Sequence, residues 1–248
     1  MSIRLYALGV GDTFTEKHHT HALLLEADGF RLAIDCPDSY RRVLRHARDK
    51  VPAAGLDLFE IDDVLITHVH GDHMNGLEGV AYFKRFAQQR KLSLHTISAV
   101  REDLWERRLV ASMGTLWDGA KLNELGFEDY FAWNELSLDT TTTIGPFTVR
   151  ARRTTHHVPT SALIVEHAGR SIGISSDTAF DPALIQWLAQ ADLIVHETNL
   201  GPAHTAYKDL LTLDADVRQK MHLIHYPDDF DLAASQIAVL REGDVLDV

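Results

Sequence analysis

The stretch Thr67-His68-Val69-His70-Gly71-Asp72-His73 follows Asp63-Val64-Leu65-Ile66, a β-branched run that reads as a buried strand stopping at His68. Four potential metal ligands, His68, His70, Asp72 and His73, therefore fall within six residues. Gly71 lets the chain turn, so that alternate side chains converge on more than one point. Imidazole and carboxylate without thiolate suit zinc, with manganese or iron as substitutes. Four ligands this close in sequence do not comfortably fill one tetrahedral site, so partners from elsewhere in the chain are expected.

Candidates stand at other strand ends. His156-His157 follow the run Phe147 to Arg152, Asp177 follows Ile172 to Ser176, and His225 follows His222-Leu223-Ile224. Side chains leaving the ends of neighbouring strands are held on rigid elements around a common crevice, as a preorganised metal centre requires. Taken singly, an aspartate after a strand is an ordinary turn former; the dense first cluster is what argues for metal. Two divalent ions roughly 3.5–4 Å apart can share a hydroxide, polarise a phosphoryl oxygen and offset the charge of an in-line transition state. A phosphodiester is a natural substrate for such a pair, although an ester or lactam is open to the same attack.

The rest of the chain fits a mixed α/β layered fold, read as a single domain over 1–248. Its 248 residues, 45% apolar and 24% charged, suffice for one large core. Strands at Ile3–Leu8, Ala22–Glu26 and Phe30–Ile34 precede a helix over Arg41–Asp49, a helix from Gly76 to Arg90, a strand over Leu92–Val100 and a helix over Glu102–Ala111. From Thr143 strands return at Phe147–Arg152, Ala162–Glu166 and Ser171–Ser175, then a helix at Pro182–Ala189 and a strand at Asp192–Val195; two helices and the strand Met221–Ile224 close the chain. Acidic residues outnumber basic ones 36 to 24, and the net charge of −12 repels nucleic acid. One cysteine, Cys36, expected to be buried beside Asp35, cannot form an internal disulfide. The opening residues lack a leader pattern and no apolar run reaches the roughly 18 residues of a span, so a cytoplasmic protein without membrane contact is expected.

The segment Thr67-His-Val-His-Gly-Asp-His-Met-Asn-Gly-Leu-Glu-Gly79 resembles the H-x-H-x-D-H signature of the metallo-β-lactamase superfamily, in the form carried by its phosphodiesterase branch, ribonuclease Z and the class II cyclic-nucleotide phosphodiesterases. Leu8-Gly9-Val10-Gly11-Asp12, Ala33-Ile34-Asp35-Cys36 and Ser176-Asp177-Thr178 are similar to that branch's opening hairpins and Gly-Asp-Thr motif. The resemblance implies an αβ/βα sandwich of two mixed β-sheets flanked by helices. It also implies one metal held by His68, His70 and His156, a second held by Asp72, His73 and His225, and Asp177 bridging them. His156 is preferred to His157 because His156-His157-Val158-Pro159-Thr160 is similar to the family's H-x-V-P-T, and His225 to His222 because the family ligand directly follows the strand. Asp192-Leu-Ile-Val-His196-Glu197-Thr198 and the later His204 resemble the branch's His-Glu-Ala-Thr segment and its distal histidine. The catalytic set implied is Asp72, Glu197 and His204, with the Glu-oriented imidazole protonating the leaving group.

The chain departs from ribonuclease Z where that enzyme carries a long basic arm for transfer RNA. Only 177 − 156 = 21 positions separate His156 from Asp177, and they read as a hairpin. With the acidic balance this turns the expectation from a tRNA 3′-processing endonuclease to a homodimeric phosphodiesterase for small, cyclic nucleotides. Alternatives are a thioesterase, lactonase or glyoxalase-II-like hydrolase on the same fold, and a non-catalytic nucleotide-binding protein. Residues 80–145 fall outside the resemblance. Their aromatic group, Trp105, Trp117, Phe127, Tyr130, Phe131 and Trp133, fits either a base-stacking lid or a core or dimer contact, and His18, His19 and His21 fit either the site or a solvated loop.

Overall fold

The computed structural model describes residues 2–248 and contains two seven-stranded mixed sheets. Across the first, the strands run in the order Val245–Asp247, Arg4–Gly9, Ala22–Ala27, Phe30–Ile34, Asp63–Leu65, Leu92–Thr96 and Phe131–Glu135. Pairing is antiparallel as far as Phe30–Ile34 and parallel beyond it. Across the second, Thr142–Ile144, Phe147–Arg153, Ser161–His167 and Arg170–Ile174 pair antiparallel, and Leu193–Glu197, Met221–Ile224 and Ala238–Val239 continue in parallel. Both sheets thus pass from hairpins into parallel strand-helix units, a shared plan that no sequence repeat disclosed. This is the metallo-β-lactamase arrangement of two mixed sheets with helices outside.

The central parallel strands are buried on both faces, which is why they read as unbroken apolar runs: Val64, Leu65 and Ile66 in one sheet, Ile194 and Val195 in the other, are all fully buried. Helix Tyr40–Lys50 turns Tyr40, Val43, Leu44 and Ala47 inward at helical spacing, and Pro182–Leu188 does the same with Leu184, Ile185 and Leu188 behind an Asp181 cap that accepts from the Ala183 and Leu184 amides.

Several expectations need correction. The strand from Leu92 stops at Thr96, and Ser98 opens a helix that runs to Met113 through a wide π-type turn at Trp105–Leu109, which contains the expected Glu102–Ala111 helix. The strand expected over Asp192–Val195 extends to Glu197 and carries His196 and Glu197 within it. Met221–Ile224 does not close the chain, for Val245–Asp247 returns to the first sheet and pairs with Arg4, Leu5 and Tyr6. Of the mid-chain aromatics, Trp105, Phe127, Tyr130 and Phe131 are core, Trp133 lies under the Arg101 guanidinium, and Trp117 projects from a small hairpin formed by Thr115–Trp117 and Leu122–Glu124. No helix among the described residues is long and apolar enough to cross a membrane.

Gly71 does not occupy a glycine-only turn. It opens the short helix Gly71–Met74 without a positive φ, and a Cβ there would lie 2.6 Å from Asn75 Nδ2, the end of a side chain that would have to shift. Gly76 is tighter still: a Cβ would fall 2.0 Å from the Pro37 carbonyl oxygen, while its amide donates to the Cys36 carbonyl at 2.9 Å. Backbone cannot step aside as a side chain can, so Gly76→Ala should remove at least about 2 kcal/mol of stability. Urea unfolding checks this as a lowered midpoint at unchanged slope.

Candidate metal centre

The expected residues meet because strands from both sheets point their C-terminal ends into one crevice. Asp35 follows Phe30–Ile34, His68 lies three residues beyond Asp63–Leu65, Asp177 three beyond Arg170–Ile174, and His225 directly after Met221–Ile224. Three of these turns hold a non-glycine residue in left-handed backbone: Asp35 at φ 63°, Ser176 at 52° and His225 at 59°. Aspartate and histidine are among the non-glycine residues that enter that region most readily; serine holds it where surrounding structure dictates it.

Four donor atoms form a first cluster. His70 Nδ1 lies 3.2 Å from His68 Nε2 and 3.1 Å from His156 Nε2, and Asp177 Oδ2 lies 3.6 and 3.7 Å from the same two nitrogens. Donors bound tetrahedrally to one ion at about 2.0–2.1 Å stand about 3.3–3.4 Å apart, so the spacing fits a single cation. A second cluster lies beside it. Asp72 Oδ2 is 3.5 Å from His73 Nε2 and 3.2 Å from His225 Nε2, while Asp177 Oδ1 is 3.3 and 3.8 Å from those nitrogens. Asp177 therefore turns one carboxylate oxygen to each cluster.

Two atoms test whether a cation belongs there. His73 Nε2 and Asp177 Oδ1 are buried, stand 3.3 Å apart and make no well-aligned hydrogen bond, and a cation between the clusters would satisfy both. Protonation preferences agree. Burial holds His156 down at about 4 and keeps His68 and His70 below the ordinary histidine value, leaving neutral rings with lone pairs to give. Burial opposes charge on His73 too, but Asp177, Asp72 and Asp35 outweigh it and raise that ring well above the ordinary range; a field that favours a proton there favours a cation.

Hydrogen bonds behind the clusters fix the rings. Asp35, fully buried, accepts from the Thr67 amide and hydroxyl at 2.9 Å and from His73 Nδ1 at 2.7 Å, which leaves His73 Nε2 aimed at the second cluster. His156 Nδ1 donates to the Ala203 carbonyl at 3.1 Å. Glu197, also buried, accepts from the Thr178 amide at 2.6 Å and from His204 Nδ1 at 3.0 Å; its carboxyl is raised well above the ordinary range by burial and by the nearby Asp177 charge. His204 stands at the rim, its Nδ1 4.0 Å from Asp177 Oδ2 and its ring stacked on His225 at 5.5 Å. Above the clusters opens a cavity of about 430 Å³, lined by His70, Asp72, Asp177, His204 and His225, with Phe14 and Leu200 at its edge.

All nine expected site residues are brought together, and the alternatives separate. His157 is exposed at the cavity edge, and His222 lies within its sheet in register with Val195 and Ala238. Sequence reasoning left His21 undecided. It is buried, stacks on His73 at 4.9 Å and places Nδ1 3.0 Å from Asp35 Oδ2; its one signal was a polar residue directly before the apolar run Ala22–Leu25. His19 instead pairs with His46 at 2.8 Å and His18 sits edge-on to Tyr226. Cys36 is buried, as expected, and burial pushes its thiol well up.

Known proteins share this plan. A family model described as anti-Pycsar protein Apyc1 matches residues 3–242. Apyc1 of Paenibacillus sp. (strain J14) is 31% identical over 254 aligned positions, covering 99% of each chain, and Apyc1 of Bacillus phage 010DV004 is 29% identical over 97% of this chain and 95% of its own. The metallo-β-lactamase fold protein YhfI from Bacillus subtilis superposes over the whole of both chains with a TM-score of 0.78 at 17% identity, a likeness of fold. The chain belongs to the anti-Pycsar protein Apyc1 family, built on the metallo-β-lactamase fold.

Proposed function

We propose that the protein is a dinuclear metal-dependent phosphodiesterase that opens small cyclic nucleotides by hydrolysis. The observation that carries this reading is Asp177, which offers one oxygen to each of two four-donor clusters. His68, His70 and His156 complete one, and Asp72, His73 and His225 the other; these nitrogen-oxygen sets suit zinc, with manganese or iron as substitutes. Divalent ions held there would supply the charge that polarises a phosphoryl oxygen and lowers the pKa of an attacking water.

The protein's own groups do the rest. Glu197 holds the Nδ1–H of His204, so Nε2 is the ring nitrogen left to give a proton to the departing alkoxide. Addition of one water across a P–O bond of the cyclic diester yields a linear monophosphate. The substrate's size is supported by the cavity, which suits a single nucleotide. It is also supported by the hairpin Ser161–His167 and Arg170–Ile174 between His156 and Asp177, where an RNA-gripping arm would stand, and by the net charge of −12. Membership of the anti-Pycsar family supports a cyclic nucleotide as the compound removed.

The test is a screen of cyclic mono-, di- and trinucleotides with zinc- or manganese-loaded protein, beside a thioester and a lactone, read by product mass. A linear product heavier by one water is expected. His68→Ala should lower its rate at least about 10³-fold, since one donor of a preorganised cluster is lost. Turnover surviving in that variant, or preferred turnover of the thioester or lactone, contradicts the reading.

A further inference from the structure

We infer that Phe14 and Leu200 form a base clamp at the mouth of the site, so that substrates are selected by stacking of a nucleobase; this rests on the phosphodiesterase reading above. Phe14 is 86% exposed and Leu200 71% exposed, and both edge the cavity over the two clusters. Single exposed apolar residues are commonplace, but these two come from separate loops and line one cavity whose other walls are largely the candidate ligands and Asn199. The clusters take the phosphate, which leaves the apolar rim to meet the part of a nucleotide without charge.

Both loops are braced. Asp12 Oδ1 accepts the Phe14 amide at 2.9 Å, Asp228 accepts from the Thr15 hydroxyl and, at 2.8 Å, from the Glu16 amide, and Lys17 Nζ donates to the Asp228 carbonyl at 2.8 Å. The His225 amide donates to the Val10 carbonyl at 2.8 Å, tying the root of that loop to the segment that carries His225. On the other side the Leu200 amide donates to Asn199 Oδ1 at 2.7 Å and the Asn199 amide to the Thr205 carbonyl at 3.0 Å. An aromatic face held out by a rigid loop, with little order left to lose, is a stacking platform, and stacking is tolerant of base identity because every base has a π-face.

The experiment compares adenosine and cytidine cyclic monophosphates with a ribose cyclic phosphate that lacks the base. In Phe14→Ala, kcat/KM for the nucleotides is expected to fall roughly tenfold relative to the base-free compound, through KM, as loss of one stacking contact implies. Phe14→Trp should restore the ratio, and Leu200→Ala should lower it less. An unchanged ratio overturns the clamp. So does a lower oligomeric mass of Phe14→Ala in sedimentation, which would assign the apolar pair to contact between copies. If the wild-type protein hydrolyses none of the three, the phosphodiesterase reading falls, and calorimetric binding of the same nucleotides still decides the clamp: weaker binding to Phe14→Ala supports it, equal binding overturns it.

Discussion

Asp177→Asn is expected to lower kcat at least about 10³-fold, close to 4 kcal/mol of transition-state stabilisation, and to halve the bound metal. Asparagine has nearly the same volume, so the fold should survive with its far-ultraviolet dichroism intact. It has one oxygen where the carboxylate has two. Oδ2 lies 3.6 Å from His68 Nε2 and Oδ1 lies 3.3 Å from His73 Nε2, so whichever cluster receives the amide NH2 loses a lone pair and gains two protons aimed at its cation. Elemental analysis should then find one ion per chain in place of two. Unchanged metal content, with activity within tenfold of wild type, would refute the bridging role proposed for Asp177.

Asp35→Ala should damage stability and metal affinity together. The carboxylate is completely buried among the Thr67 amide and hydroxyl, His73 and His21, and truncation leaves all of them facing an apolar void. Removing one partner of a buried charged network typically removes 3–5 kcal/mol. Loss of the group that fixes a ligating imidazole typically lowers metal affinity about 10–100-fold. Urea unfolding with a chelator isolates the first effect, and competition with a metallochromic dye measures the second. The sign of the pH dependence follows from the charges. Burial alone would raise the Asp35 carboxyl, but His73 and His21 hold it below the ordinary value, so its contribution is present above about pH 4 and fades as acid protonates it.

Much of the centre was legible because each ligand directly or closely follows an apolar strand, a pattern that pins a side chain in space as well as in sequence. Asp72 and His73 stood out through their density with His68 and His70, and Asp177 gained meaning only beside that cluster. His156 against His157 and His225 against His222 needed the family likeness: the first pair are neighbours of which one joins a cluster and the other stays exposed, and the second differ by lying just past and within the strand Met221–Ile224. His21 was hidden by its neighbours. His18, His19 and His21 look alike in a polar loop, and only tertiary packing sends His21 under His73 while His19 pairs with His46. Val245–Asp247 escaped notice because three residues carry too little alternation, and its partner, Arg4–Tyr6, lies at the far end of the chain. Gly71 reads as a turn former, yet it opens a short helix without a positive φ, and only the movable Asn75 side chain stands close to it. The aromatics divided likewise, since the residue types that fill a core are also those that stack on bases.

The left-handed turns at Ser176 and His225 hold an unfavourable backbone on the doorstep of two ligands. Each such residue outside glycine sets the fold back by roughly 1–2 kcal/mol. Selection for heat resistance alone would therefore drift toward glycine at Ser176, where relaxing the turn is easiest. The hardier descendants would be sloppier marksmen, because the same kink is what points Asp177 at its targets.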